Sequence, residues 1–324
     1  MTYLLFVVGF VLLIKGADML VEGASSVGKR LQISDLVIGL TIVSFGTSLP
    51  ELLVSTVSSF KGSPSLGVGN VLGSNVANIL LILGIAAAIR PLPMTRNTYF
   101  IEVPFSLTAT LLVGFVANAS LFDKHDDLLI SRFDGALLLF FFTLFLGYIY
   151  IVSKTKREDD VSDQAVKVMT TWKSIIWILL GIIGLYVGGQ WVVDGAVVMA
   201  QAFGMSEAFI GLTIVAIGTS LPELVTSAVA AFRNNIDIAV GNVVGSNIFN
   251  LLWILGLSSV IKPIPYLAES NQDILMIIAA STALIMAVVI GKRPVISRWE
   301  GILFLVFYAW YIFHLFEREA LHQF

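Results

Sequence analysis

Apolar residues gather along this chain into ten long runs, near 3–23, 36–60, 68–89, 100–118, 133–153, 173–200, 208–232, 239–261, 273–291 and 299–316. A helix needs about 20 apolar residues to cross a hydrocarbon core about 30 Å thick. Each run therefore predicts one transmembrane helix, and the fold class is an all-α membrane protein with almost no chain left for a soluble domain. Two runs are broken by the same six letters, GTSLPE, at 46–51 and again at 218–223.

Composition agrees with the pattern: 57% of the 324 residues are hydrophobic and 13% charged, against about 25% charged in an ordinary soluble domain. The net charge of −3 is spread over short connections, which leaves no basic patch for nucleic acid. Cysteine is absent, so disulfides, thiolate nucleophiles and cysteine metal sites are excluded. The first run carries Lys15, Asp18 and Glu22 in its later half and lacks a basic leader, so it reads as a retained helix rather than a cleaved signal. Lys and Arg fix the orientation. With the N-terminus outside, thirteen lie in cytoplasmic connections (Lys29, Arg30, Arg90, Arg96, Lys154, Lys156, Arg157, Lys167, Lys173, Arg233, Lys292, Arg293, Arg298) and five outside (Lys61, Lys124, Arg132, Lys262, Arg318). Both termini are expected outside.

The chain is one unit written twice. Residues 39–84 align without a gap to 211–256 at an offset of 172, with 27 identities in 46 positions, and the register extends to Gly16 with Gly188, Glu22 with Asp194, and Asp35 with Glu207. Five helices per copy is an odd number, so the second copy enters the membrane from the opposite side. Inverted repeats of this kind build transporters, with the substrate site near the midplane where broken helices meet. The expected units are 1–153 and 173–324, joined by a cytoplasmic polar linker at 154–172.

Pro50 and Pro222 have no N–H to donate, so each interrupts its helix and frees carbonyls around it. Inside a membrane such groups need protein or a water-filled cavity. Glu51 and Glu223 follow each break, and a charged side chain at a helix centre costs about 2.5–3.5 kcal/mol on insertion scales. Only Lys15 lies well inside a run as a partner cation, and it has no counterpart in the second copy. If the repeat axis brings the two glutamates together, a bound cation resolves the repulsion. Asn70, Ser74 and Asn78, repeated as Asn242, Ser246 and Asn250, share one helix face and add oxygen. An all-oxygen set suits Ca2+ or Na+, and Mg2+ less well because it sheds water reluctantly. Gly69, Gly73, Gly241 and Gly245 form GxxxG patterns that let helices approach. Ser55, Ser227, Asn75 and Asn247 read as interior groups that bond their own helices or clamp neighbours. Asp18, Glu22 and Asp194 read as interfacial, and the acidic segment 123–127 as a solvated loop. GVGNVLG lies in an apolar run with no preceding strand and is no nucleotide loop.

Duplicated GTSLPE followed by GNVxGSNxxN resembles the alpha repeats of the sodium/calcium exchanger family, and the ten-helix layout is similar to its prokaryotic inner-membrane members. The resemblance implies a non-enzymatic antiporter that exchanges Ca2+ for Na+ by alternating access, with no prosthetic group. It implies Glu51 and Glu223 as shared anionic ligands. Thr47, Ser48, Thr219 and Ser220 would add hydroxyl or carbonyl oxygens, Ser74 and Ser246 hydroxyls, Asn78 and Asn250 amide oxygens, and Ser44 and Ala216 carbonyls. Sodium/calcium exchangers usually carry aspartate at the place of Asn250, which leaves stoichiometry and K+ dependence open. The helices at 3–23 and 173–200 are expected to slide, their glycines (Gly16, Gly23, Gly188, Gly189, Gly195) giving smooth packing. The nearest alternative is Ca2+/H+ antiport on the same fold; the others are a cation channel and, more remotely, a carboxylate-dyad hydrolase. Oligomeric state is not fixed by the sequence, which is compatible with a monomer.

Overall fold

The computed structural model describes residues 2–61, 64–119, 128–154, 168–204, 216–290 and 294–322. The helices follow the apolar runs: α1 (Thr2–Leu31), α2 (Asp35–Thr47), α3 (Leu49–Lys61), α4 (Leu66–Ile89), α5 (Thr98–Ala117), α6 (Arg132–Lys154), α7 (Thr171–Ala202), α8 (Ala216–Gly218), α9 (Leu221–Phe232), α10 (Ile236–Ile261), α11 (Ser270–Ile290) and α12 (Arg298–His322). Among the described residues, 8 helices are long and apolar enough to span a membrane, and α2 with Leu49–Ser58 of α3, bent by 45° at the break, is long and apolar enough together to make a ninth. Of the seventh run, 208–215 lie outside the described residues, as do the acidic segment 123–127 and most of the linker. Helix α6 ends at Lys154 and α7 begins at Thr171, two residues before the boundary expected for the second unit.

Burial sorts the helices. The apolar windows of α4 and α10 are 72% and 94% buried, so these two form the centre, whereas α1, α6, α7 and α12 present most of their surface outward. Helix α6 packs on the last turns of α10, and α12 packs on the last turns of α4. Each central helix is thus held by an outer helix of the other repeat. Arg132 donates to the carbonyl of Ile261 at 3.4 Å and Arg298 to that of Ile89 at 3.3 Å. Both guanidinium groups meet helix C-termini, where unpaired carbonyls and the helix dipole favour a cation. The start of α6 is capped by Asp134, which accepts from Ser131 N at 2.8 Å, and the start of α12 by Glu300, which accepts from Ser297 N at 2.6 Å.

Short strands tie the loops. Leu92–Pro93 (β1) pairs antiparallel with Val295–Ile296 (β4), and Leu129–Ile130 (β2) with Ile264–Pro265 (β3). Each two-stranded sheet joins a loop of one repeat to a loop of the other.

Helices α1 and α7 are about 45 and 48 Å long at 1.5 Å per residue, longer than the hydrocarbon core, and they pack against each other over most of their length. Glycine makes this approach possible. A Cβ on Gly16 would lie 2.8 Å from Leu185 N and 2.9 Å from Gly181 O, and one on Gly188 would lie 2.7 Å from Gly9 O. The expected glycine slots therefore join α1 to α7 rather than lubricating either against the core. Gly189 contributes little, its nearest neighbour being Leu13 Cδ2 at 3.9 Å. Because the obstructing atoms are backbone, Gly16→Leu should lower the melting temperature in detergent by about 5 °C or more. Gly147→Leu, where a Cβ meets nothing described within 4 Å, should leave it unchanged; equal melting of the two variants would show that α1 and α7 are not locked through Gly16.

Candidate cation site

The helical ladder stops and restarts at each GTSLPE. Ser48 N donates to Ser44 O at 3.0 Å, and the next bond runs from Leu52 N to Ser48 O at 3.1 Å. The carbonyls of Phe45, Gly46 and Thr47, between these two acceptors, are passed over. In the second repeat Ser220 N turns to Ile217 O at 3.1 Å and Leu224 N to Ser220 O at 3.0 Å, so the carbonyls of Gly218 and Thr219 are passed over. The carbonyl of Ser44 accepts from Ser48 N and, at 3.4 Å, from Thr47 Oγ1. Ala216 O is bypassed by Ser220 N, so the two repeats differ at this point.

The two breaks converge on one buried cluster. Glu51 and Glu223 are each 1% exposed, and Thr47, Ser48, Ser74, Asn78, Ser220, Ser246 and Asn250 are buried around them; Thr219 is partly buried. The bonds cross between repeats. Ser48 Oγ donates to Glu223 Oε1 at 3.0 Å and also lies 3.0 Å from Ser246 Oγ. Ser220 Oγ lies 3.5 Å from Glu51 Oε1 and 3.1 Å from Ser74 Oγ, and Ser74 Oγ lies 3.5 Å from the same carboxylate oxygen. Each glutamate is therefore met by the serine of the other break.

Four oxygens in this cluster have no hydrogen-bond partner although they are shut off from solvent: Glu51 Oε2, Glu223 Oε2, Asn78 Oδ1 and Asn250 Oδ1. Buried polar atoms are almost always paired, and an unpaired buried carboxylate is the most costly of them. Among the described residues neither glutamate forms a salt bridge, and no group of three or more His, Cys, Asp and Glu side chains gathers anywhere. Asn78 opens one widened π-type turn, Asn78–Ile82, and Asn250 lies in another, Phe249–Ile254. Such bulges inside α-helices are frequent at functional sites.

Residues read as interior make interior bonds: Ser55 Oγ donates to Gly67 O at 3.3 Å and Asn247 Oδ1 accepts from Asn78 at 2.9 Å. Asn75 is satisfied in part, its Nδ2 donating to Val71 O at 2.6 Å while its buried Oδ1 has no partner. Of the GxxxG pairs, Gly241 and Gly245 lie against α2, where a Cβ would meet Leu36 O at 2.7 Å and Leu40 O at 2.8 Å. A Cβ on Gly69 or Gly73 would meet no described atom within 4 Å.

A model of the family described as sodium/calcium exchanger protein matches residues 1–151 and 173–317. The chain belongs to the sodium/calcium exchanger protein family. Among its relatives in that family, the putative antiporter CaxA of Alkalimonas amylolytica is 40% identical over 96% of this chain and 97% of its own. The sodium/calcium exchanger MaX1 of Methanosarcina acetivorans is 32% identical over 97% of this chain and 98% of its own. The solved sodium-calcium exchanger NCX_Mj superposes with a TM-score of 0.78 at 33% identity, covering 97% of this chain and 98% of that one. This member of the exchanger family is accordingly a helical membrane transporter. The sequence reading missed two features of it. Asn70 and Asn242 reach across the repeats to threonines, and Arg233, counted as a loop cation, pairs with Asp18 at 2.7 Å and Glu22 at 2.9 Å. Those two acids, read as interfacial, tie α1 to the end of α9. No local pattern signals a pair more than 200 residues apart in sequence.

Proposed function

We propose that the chain is a secondary antiporter that exchanges Ca2+ for Na+ by alternating access, with the ions held around Glu51 and Glu223. The observation that carries this reading is the pair of buried carboxylates, each with one unpartnered oxygen and, among the described residues, no salt bridge to a protein cation, beside two unpartnered amide oxygens. Hard oxygen donors of this kind suit Ca2+ and Na+. Ser48, Ser74, Ser220 and Ser246, with Thr47 and Thr219 and the carbonyls passed over at each break, supply the neutral remainder.

Charge then dictates coupling. Two glutamates carry −2, which one Ca2+ or two Na+ neutralise and a third Na+ would overshoot. Ca2+ and a full set of Na+ cannot share the site without excess charge in a medium of low dielectric constant. Either load excludes the other, which is exchange. An empty site leaves two carboxylates unneutralised, so the empty carrier crosses poorly and leak is suppressed.

The pairing of β1 with β4 and of β2 with β3 supports the inverted-repeat reading, because each sheet joins loops that the Lys and Arg count assigns to one side. That count puts β1, β4 and Arg233 in the cytoplasm and both termini outside, in an inner or plasma membrane. Asymmetric packing supports sliding of α1 and α7 against the rest. Helix α1 packs along α9, whereas α7 does not pack along α3, its counterpart by the repeat offset, to a comparable extent. A lateral cleft of about 590 Å3, lined by Ile14, Asp18, Ile89, Leu224 and Phe232 among others, separates α1 from α4.

The deciding experiment is radioactive Ca2+ uptake into proteoliposomes loaded with Na+ and diluted into Na+-free buffer. Uptake should require internal Na+ and should not be replaced by K+ loading or by an acidic interior. Equal uptake driven by a proton gradient without Na+ would move the assignment to Ca2+/H+ exchange on the same site.

A further inference from the structure

Two asparagines just outside the glutamate cluster reach across the repeats. Thr47 Oγ1 donates to Asn242 Oδ1 at 3.1 Å, and Thr219 Oγ1 donates to Asn70 Oδ1 at 3.0 Å. Thr47 ends α2 and Thr219 follows the end of α8, each four residues before its glutamate, Glu51 or Glu223. A threonine hydroxyl in a helix ordinarily returns its proton to a carbonyl of the preceding turn. For Thr47 that alternative is the carbonyl of Ser44, at 3.4 Å, so the hydroxyl proton is shared between its own helix and the other repeat.

The direction of the bond matters chemically. A hydroxyl has one proton and two lone pairs. Once an amide oxygen takes the proton, only lone pairs remain to face anything else, and a cation needs lone pairs. Asn242 is itself fixed so that its oxygen is the atom presented: its Nδ2 donates to Ser227 Oγ at 2.9 Å and to Glu223 O at 3.4 Å, and the residue is wholly buried. The same amide therefore holds the backbone of Glu223 in one repeat and orients Thr47 in the other. Asn70 makes the threonine bond, yet its Nδ2 is buried with no partner, because Ser55, the counterpart of Ser227, donates to Gly67 O instead.

We infer that Asn242 and Asn70 are positioning residues that turn the hydroxyls of Thr47 and Thr219 into cation-facing oxygens, each across the repeat boundary. Asn242 is the stronger of the two because its amide is anchored on both sides. The inference rests on the reading of Glu51 and its surroundings as the Ca2+ and Na+ site, and on Thr47 as part of it.

A double-mutant cycle in reconstituted protein tests it, with KM and maximal rate for Ca2+ measured for wild type, Thr47→Val, Asn242→Ala and the double variant. Asn242→Ala should raise KM about tenfold with the maximal rate within about twofold, and should add less than about twofold once Thr47 is Val. An asparagine that only clamps helices would give effects that multiply. If both single variants raise KM and the effects multiply, the positioning inference is overturned and the site reading stands. If Thr47→Val alone leaves KM unchanged, Thr47 is not part of the site and the inference falls with it. Should Asn242→Ala fail to elute as a monodisperse species, the cycle of Asn70→Ala with Thr219→Val carries the same test, with a smaller shift expected.

Discussion

Glu51→Gln, and separately Glu223→Gln, should lower Na+-driven Ca2+ uptake at least about 100-fold, which corresponds to about 2.7 kcal/mol or more lost from the interaction with Ca2+. The physical reason is charge balance in a dry site. With one carboxylate replaced by an amide, Ca2+ would leave a net +1 among buried hydroxyls and amides, with no further carboxylate in the cluster among the described residues to offset it. Glutamine keeps the size of the side chain and removes only the charge, so packing around the break at Pro50 is retained. A second readout separates loss of binding from loss of fold. In the absence of both ions the wild-type protein holds two unneutralised carboxylates that the variant has reduced to one, so the variant should melt at a higher temperature than wild type. Adding Ca2+ should raise the wild-type melting temperature by the usual linkage of ligand to folded state and leave the variant where it was. A Glu51→Gln protein that transports at near wild-type rate, or one that Ca2+ stabilises fully, would remove the glutamate from the site.

The elements legible in the sequence are those set by chemistry local to a few residues. A run of some 20 apolar positions has one structure in a bilayer, and α5, α6, α10 and α11 begin and end within three residues of their runs. Pro50 announces the break because the missing N–H is a fact about the residue itself. The meeting of Glu51 with Ser220 and of Glu223 with Ser48 was accessible through the duplication, since an inverted copy must return the same motif to the same depth. What the sequence leaves open depends on which rotamer or neighbour wins among equivalent choices. Ser55 and Ser227 occupy matching positions, yet one bonds a carbonyl and the other an amide. The widened turns at Asn78 and Asn250 sit in ordinary helical sequence and follow from packing. The pairing of Arg233 with Asp18 and Glu22 could not be read either, because all three residues looked like interfacial charges, each sufficiently explained by water.

That ion-pair cluster gives a direct test of motion, and the absence of cysteine from the chain makes it clean. Arg233 at the end of α9 holds Asp18 at 2.7 Å and Glu22 at 2.9 Å, and Glu22 also accepts from Trp177 Nε1 at 3.4 Å, so α1, α7 and α9 meet at one point. If α1 and α7 move as a pair against the core during each cycle, this contact must open, and a covalent tether across it must stop transport. Asp18→Cys with Arg233→Cys places two thiols where the side chains already touch, within reach of a bifunctional maleimide. Treatment should reduce Na+-driven Ca2+ uptake more than about tenfold in the double variant, because a conformational step then limits every turnover. It should leave each single variant unaffected, which excludes the loss of the ion pair and the bulk of the reagent as causes. Ca2+ should still raise the melting temperature of the tethered protein, since the glutamate cluster lies away from the tether and keeps its oxygens. Full transport by a quantitatively cross-linked protein would mean that α1 stays fixed to α9 throughout, and the moving boundary would then have to lie elsewhere among the packed helices. Loss of transport with binding intact would instead place the moving boundary between α1 and α9, the contact that the packing asymmetry between α1 and α7 singles out.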